Sequence, residues 1–257
     1  MRFLVIGDVV GKPGRKLVSH YLAELREELR IDATIVNGEN AAGGLGITPE
    51  VSEELFACGV DVITTGNHVW DKKEIIEYLP TQRRLLRPLN YPPGVPGEGF
   101  VLISDPVAPW AVINASGRVF MGALDCPFQR IEQELTHLRR STRIILVDFH
   151  AEATSEKMAM GWFLDGQVSC LFGTHTHVAT ADERIFPNGT AYITDIGMTG
   201  AHDSVIGVEV EIILNRFLTG MPVKNAVAKD NLRLNGIVVD IDPASGRAND
   251  IFRVSRG

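Results

Sequence analysis

The segment Phe3-Leu4-Val5-Ile6-Gly7-Asp8 contains the pattern on which the fold prediction depends. Its apolar run predicts a buried strand, and Gly7 and Asp8 mark the point where that strand ends. Residues 13–29 follow with apolar side chains at helical spacing, so the chain opens with a strand, a polar turn and a helix.

This unit recurs along the first third of the chain. Strands are predicted at 33–36 and 60–64, and between them Thr48 as N-cap and Pro49 at the first helical position open a helix. Asp71 has the spacing of a capping box and predicts a further helix that ends near residue 80. Such alternation predicts an α/β fold with a parallel sheet, whose ligands gather beyond the carboxyl ends of the strands.

The rest of the chain predicts a second group of strands. A loop rich in proline and glycine over 87–99 precedes expected strands at 100–104, 110–114 and 119–124, with antiparallel pairing. Since no linker or repeat interrupts the chain, we expect one domain over 1–257 with two packed sheets. The remaining expected elements are strands at 144–149, 168–172 and 191–194, helices at 127–140, 155–164 and 205–218, and a hairpin over 236–254.

Composition narrows the class of protein. The 257 residues are 45% hydrophobic and carry a net charge of -7, which argues against a general nucleic-acid binder and against a stable nucleic-acid complex. No apolar run approaches a membrane span, and the first one ends at Asp8, too early for a signal peptide. Cys58, Cys126 and Cys170 are widely spaced and odd in number. We therefore expect reduced thiols in a cytoplasmic protein.

Residues of the kinds that bind metals stand at the ends of the predicted strands. Four of the seven histidines do so, in the segments 66–68, 148–150 and 173–177, and carboxylates do so in 7–8 and 37–40. Carboxylate, imidazole and amide groups without a thiolate suit Mn, Fe or Zn. His175 and His177 are two apart and would project to the same side, whereas the adjacent Asn67 and His68 would point apart, so only one of that pair should be a ligand. Together, these residues at the strand ends predict one composite metal site.

The motifs together resemble the calcineurin-like metallophosphoesterases and, more narrowly, their YmdB-like branch of cyclic-nucleotide phosphodiesterases. The branch pattern reads G-D-V-V-G at residues 7–11 and N-G-E-N-A-A-G-G at 37–44, followed by G-N-H, an isolated histidine and G-T-H-T-H. The resemblance covers essentially the whole chain. It implies a four-layer αββα sandwich of two mixed sheets flanked by helices, and two divalent or mixed-valence transition-metal ions.

The resemblance also implies roles for individual residues. The first metal would be bound by Asp8, His177 and Asn40, and Glu39 would bridge to the second. The second metal would be bound by Asn67, His150 and His175, while His68 would donate a proton to the leaving oxygen.

Two positions depart from the broad family pattern. Val10 stands where the D-x-H motif has histidine, and Glu39 stands in place of the bridging aspartate. An amide oxygen from Asn40 in place of imidazole makes the first site harder, which favours Fe or Mn over Zn.

The implied substrate is a small cyclic nucleotide. A metal-activated hydroxide would attack a 2',3'-cyclic phosphate and leave a 3'-phosphate. A phosphomonoesterase or an RNA-directed phosphodiesterase could use the same metals, and a nucleotide-sensing regulatory protein without catalysis would explain the missing histidine. A homo-oligomer is compatible with the sequence.

Several residues have weaker functional indications. His202 follows a strand end and is a candidate for the substrate pocket. Glu152, Thr154 and Lys157 closely follow His150 and could support the metal ligands, and the glycine turn over 42–46 is either a plain loop or a phosphate cradle.

Overall fold

The computed structural model describes all residues from 1 to 257. The helices are α1 (Gly11–Glu28), α2 (Pro49–Ala57), α3 (Ile75–Tyr78), α4 (Pro127–Leu138), α5 (Thr154–Leu164) and α6 (Val210–Thr219), and a short 3-10 turn covers Leu79–Thr81. The strands are β1 (Arg2–Ile6), β2 (Asp8–Val9), β3 (Ala33–Asn37), β4 (Val62–Thr64), β5 (Phe100–Ile103), β6 (Trp110–Ser116), β7 (Ile144–His150), β8 (Cys170–Thr174), β9 (Arg184–Ile185), β10 (Ala191–Ile193), β11 (Met198–Ala201), β12 (Leu232–Ile241) and β13 (Ala248–Arg256).

Two mixed sheets form the centre of the molecule. The first has the order β2-β11-β12-β1-β3-β4, with β13 on β12; β1, β3 and β4 are parallel, and β12 runs antiparallel to β1. The second has the order β5-β6-β7-β8-β10-β9, in which β6, β7, β8 and β10 are parallel and the edges β5 and β9 are antiparallel. The predicted α/β class with parallel central strands is therefore confirmed, and the C-terminal hairpin is present as β12 and β13.

The strand alternation divides the core into three clusters. Phe3 and Val5 of β1 face Leu146 and Phe172 of the second sheet, while Leu4 and Ile6 face α1 and α2 on the other side. A third cluster lies between the second sheet and helices α4 and α5. Burying each such side chain contributes about 1.5–3 kcal/mol. Because successive residues point to opposite faces, the same parity decides which polar residues at the strand ends face the other sheet.

Three local predictions differ from the structure. Asp71 does not cap a helix: its carboxylate lies 2.9 Å from Nδ1 of His68, and α3 begins only at Ile75. No strand forms over 119–124, because the backbone N–H of Val119 donates to the Glu156 carboxylate and the exposed Phe120 has φ +61. The helix expected from 205 begins at Val210, because residues 205–208 form a tight turn with positive φ at 206 and 207.

Other predictions hold. Thr48 accepts a hydrogen bond from the backbone N–H of Val51 at 3.3 Å, as an N-cap does. All three cysteines are free, and Cys170 is buried. None of the helices combines the length and the apolar character that crossing a bilayer requires.

Candidate metal centre and active site

The strand ends of both sheets converge at one place. Asp8 follows β1, Glu39 and Asn40 follow β3, and Asn67 and His68 follow β4 in the first sheet. His150 ends β7, and His175 and His177 follow β8 in the second sheet. Each of these residues lies within hydrogen-bonding or ion-pair distance of at least one other residue of the set, so the structure brings all the predicted metal ligands together.

His150 lies at the centre of the first group of candidate ligands. Its Nε2 is 2.9 Å from Asn67 Oδ1, 3.1 Å from Glu39 Oε1 and 3.0 Å from His175 Nδ1. Ligand atoms of Glu39, His150 and His175 all lie within 4.8 Å of one another. The side chains of His150 and Glu39 are fully or almost fully buried. Four atoms with lone pairs or N–H groups thus converge on one small region.

The second group surrounds His177. Its Nε2 is 3.7 Å from Asp8 Oδ1 and 3.1 Å from Asn40 Nδ2, and Asn40 Nδ2 also donates to Glu39 Oε1 at 3.2 Å. The Asn40 Oδ1 atom accepts no hydrogen bond from the protein, and an amide oxygen is a suitable ligand for a hard cation. Glu39 therefore stands between the two groups and touches both.

The donor set fits a divalent cation. It consists of oxygen and imidazole nitrogen atoms, a combination that Mn, Fe and Zn all accept. A Cβ atom added at Gly66 would come within 2.3 Å of both Glu39 Oε2 and His150 Nε2, so a side chain there would fill the space between the ligands. The glycine keeps this space free of protein atoms.

Protonation in the site follows from burial and opposite charge. Burial opposes the charged forms of Glu39 and His150, but their mutual attraction and hydrogen bond outweigh it, lowering the pKa of Glu39 to about 2 and raising that of His150 to about 9. Burial raises the pKa of Asp8 to about 7, although charge on His177 opposes the rise. Burial, followed by charge on His150, lowers the pKa of His175 to about 3. The site therefore concentrates titratable groups whose pKa values are strongly perturbed, which is common at functional sites.

The two histidines after β8 have an uncommon backbone conformation. His175 has φ +92 and His177 has φ +64, a region that residues other than glycine rarely occupy. The backbone N–H of His175 donates to the Asp8 carboxylate at 3.3 Å, and Nδ1 of His177 donates to the Ile206 carbonyl oxygen at 2.8 Å. These contacts hold a conformation that costs of order 1–3 kcal/mol and aims both imidazoles into the site.

A polar network supports His150 from beneath. His150 Nδ1 lies 2.9 Å from Thr174 Oγ1, which donates to Asp148 Oδ1 at 2.7 Å. Asp148 Oδ2 also accepts from Thr64 Oγ1 at 2.5 Å and from Asn37 Nδ2 at 3.0 Å. Sequence reasoning missed this network, although the charged Asp148 inside an apolar strand was a signal. Each member has the strand parity that faces the opposite sheet, so the network closes the core between the sheets directly below the ligands.

A buried ion pair supports the segment between the two histidines. Lys157 Nζ is 2.7 Å from Asp195 Oδ2, which also accepts the backbone N–H of Thr176 at 3.2 Å. Asp195 follows the end of β10, a strand-end carboxylate that the sequence analysis did not select. Of the suggested supporting residues, Glu152 lies 3.1 Å from Nε2 of His175, and Lys157 is the cation of this ion pair. Thr154 begins α5.

His68 lies at the edge of the site. Its backbone N–H donates to Glu39 Oε2 at 3.3 Å, Nδ1 lies 2.9 Å from Asp71, and the side chain is 31% exposed. Nε2 has no partner in the protein and can face a bound molecule. His202 instead lies 3.1 Å from Asn235 of β12 through Nε2, and burial lowers its pKa.

The chain is similar to known proteins over its full length. The family model described as YmdB-like protein matches residues 4–254. A curated relative, 2',3'-cyclic-nucleotide 2'-phosphodiesterase of Bacillus subtilis, is 48% identical over 99% of this chain and 96% of the relative. A hypothetical protein from Thermus thermophilus is 42% identical, with a TM-score of 0.94 over 100% of this chain and 99% of that one. A novel phosphatase from Mycoplasma pneumoniae is 35% identical, with a TM-score of 0.94 over 100% of this chain and 93% of that one.

Proposed function

The chain belongs to the YmdB-like family, and on this premise we propose that it is a metal-dependent phosphodiesterase that opens 2',3'-cyclic nucleotides to 3'-phosphates. The observation that carries the proposal is the convergence of Glu39, His150 and His175 with Asn67 at one point, next to the group formed by Asp8, Asn40 and His177. The activity for which the Bacillus subtilis relative is named supplies the substrate class. The three core clusters support an αββα order of layers as the frame of the site.

Two divalent or mixed-valence ions would fit the two groups. Asp8, Asn40 and His177 would hold one, and Asn67, His150 and His175 would hold the other. Glu39 would bridge them, because Oε1 lies within 3.2 Å of a polar atom from each group. Bound there, the ions would supply positive charge and lower the pKa of a water at the site to roughly 7. The free amide oxygen of Asn40, with the buried Val10 in place of a histidine, favours Fe or Mn over Zn.

The chain's own residues would then handle the proton and the leaving group. Asp71 holds Nδ1 of His68 and so orients the imidazole, leaving Nε2 to donate its proton. As the P–O2' bond breaks, O2' takes that proton, and hydroxide adds to phosphorus to give a 3'-phosphate beside a free 2'-hydroxyl. A positioned proton donor of this kind typically contributes 10²- to 10⁴-fold to the rate.

The test is a substrate panel with metal-loaded protein. Turnover of 2',3'-cyclic AMP should exceed that of an aryl phosphomonoester and of a long RNA. His137, exposed on α4 and not in contact with the candidate metal ligands through any hydrogen bond or ion pair, provides the control: His137→Ala should keep the wild-type rate while His68→Ala loses it. Tight nucleotide binding without product over hours would instead indicate a sensing protein, and faster turnover of the monoester would indicate a phosphatase.

A further inference from the structure

An apolar cleft opens beside His177. The cavity has a volume of about 360 Å³, within the range of small-molecule sites. Seven of its 14 lining residues are hydrophobic. Its walls come from the glycine turn at 43–45 and from the two segments 206–208 and 223–227, and a metal-ligand candidate forms one side. A molecule bound at the candidate metal centre can therefore extend directly into it.

The floor of the cleft is shaped by close packing. Val10 is buried there, and a Cβ atom on Gly207 would come within 2.8 Å of Val10 Cγ1. A Cβ atom on Gly44 would likewise meet Val227 Cγ2 at 2.9 Å. The side chain of Ile206 is 53% exposed, while its carbonyl oxygen holds His177. The cleft is thus a built cavity whose shape is coupled to the position of His177.

Two lysines line the cleft without a partner of opposite charge. Lys72 is half-buried and Lys224 is exposed, and neither forms a salt bridge or a side-chain hydrogen bond in the protein. No carboxylate is among the lining residues. In a chain of net charge -7, this is a locally positive and apolar cleft. An ammonium group without a partner in the protein suits an anionic ligand.

We propose that the cleft holds the nucleoside of the substrate and that Lys72 and Lys224 bind a phosphate on its 5' oxygen. The inference rests on the proposed function, which places the cyclic phosphate at the metal ligands. A nucleobase can pack its faces against Leu45, Val223 and Val227, but a nucleoside offers no charge to the lysines. The favoured substrate is therefore a 2',3'-cyclic ribonucleotide that carries a second phosphate on its 5' side.

The test compares substrates that differ only in the second phosphate. For the wild type, kcat/KM for adenosine 2',3'-cyclic phosphate should rise roughly tenfold when a 5'-phosphate is added, the size of one charge-assisted hydrogen bond. A dinucleotide with a 2',3'-cyclic end carries a diester at this position instead. Its rate relative to the 5'-phosphorylated mononucleotide shows whether the natural source of the second phosphate is a free nucleotide or the end of an RNA fragment.

Matched charge variants locate the effect. The preference is the ratio of kcat/KM with the 5'-phosphate to kcat/KM without it. In the double variant Lys72→Gln/Lys224→Gln this ratio should fall close to one. Lys73→Gln/Lys229→Gln removes the same charge from exposed neighbouring positions outside the cleft and should keep the preference. Binding of adenosine 3',5'-bisphosphate by calorimetry should weaken in the first variant and not in the second, and salt should reduce the difference.

The outcomes separate this inference from the proposed function. Normal turnover of 2',3'-cyclic AMP with no gain from a 5'-phosphate, or an equal loss of preference in both double variants, would overturn the inference alone. No turnover of any cyclic nucleotide by metal-loaded protein would overturn the proposed function. If the Lys72→Gln/Lys224→Gln variant still bound the bisphosphate more weakly in that case, the anion site would be supported independently of the proposed function.

Discussion

Replacing Gly66 by alanine tests whether the space between the ligands is needed for function. The added Cβ would meet three atoms of Glu39 and His150 at 2.3 Å, so these groups must move by about 1 Å to reach ordinary contact distance. The φ angle of Gly66 lies outside the left-handed region, so alanine causes no backbone strain there. A displacement of about 1 Å in a catalytic site can cost about 10²-fold in rate, equivalent to about 2.7 kcal/mol. We expect kcat/KM on a cyclic nucleotide to fall about 10²-fold, together with a loss of bound metal.

The assay measures metal content by elemental analysis, turnover of 2',3'-cyclic AMP and the melting temperature. Gly122→Ala is the matched control, because Gly122 also lies outside the left-handed region and a Cβ there meets nothing within 4 Å. The control should keep wild-type metal content and rate. A folded Gly66→Ala protein with wild-type metal content and activity would refute the reasoning that the ligands enclose the metal site.

The remaining predictions concern the proton donor, the supporting network and pH. His68→Ala should retain both metals and lose 10²- to 10⁴-fold in rate; loss of metal, measured on the purified variant, would mean that His68 is a ligand. Thr174→Val removes the hydroxyl between His150 and Asp148 and should weaken metal binding 10- to 100-fold in a chelator competition, whereas an unchanged affinity would make the network purely structural. The pKa is about 9 for His150 and about 7 for Asp8, so a metal must displace a proton from each residue once the pH falls below that value. The affinity of the site that contains His150 should therefore fall about tenfold per pH unit below 9, and that of the site that contains Asp8 about tenfold per unit below 7. Asp8→Asn should remove the second dependence alone, as a binding titration at several pH values would show.

Local patterns along the chain were enough to predict much of the fold. Apolar runs predicted the central strands, and the rule that ligands gather beyond the carboxyl ends of parallel strands predicted that Asp8, Glu39 and His150 would meet. Strand ends are local features, and parallel pairing brings them together whatever the exact register. The antiparallel insertion of β12 beside β1 could not be predicted, because it joins residues more than 200 positions apart.

The errors arose where a long-range partner outweighed a local signal. Asp71 has the spacing of a helix cap, but its carboxylate interacts with His68 instead. Val119 lies in an apolar run after a turn, but its N–H is satisfied by Glu156 rather than by a neighbouring strand. Asp148 is recognisable in the sequence as a charged residue within an apolar strand, but a hydrogen bond that it accepts comes from Asn37 in the opposite sheet. Such pairings are set by the packing of two sheets, which no short window of sequence contains.

The central claim is that the convergent ligands make this chain a metal-dependent phosphodiesterase. The most direct measurement is the rate of conversion of 2',3'-cyclic AMP to 3'-AMP while metal-free protein is titrated with Mn²⁺ or Fe²⁺, with the product identified by chromatography. We predict no turnover without metal, a rate that saturates near two equivalents, and 3'-AMP as the product. Full occupancy of both sites without turnover, or the same rate in the metal-free protein, would contradict the claim.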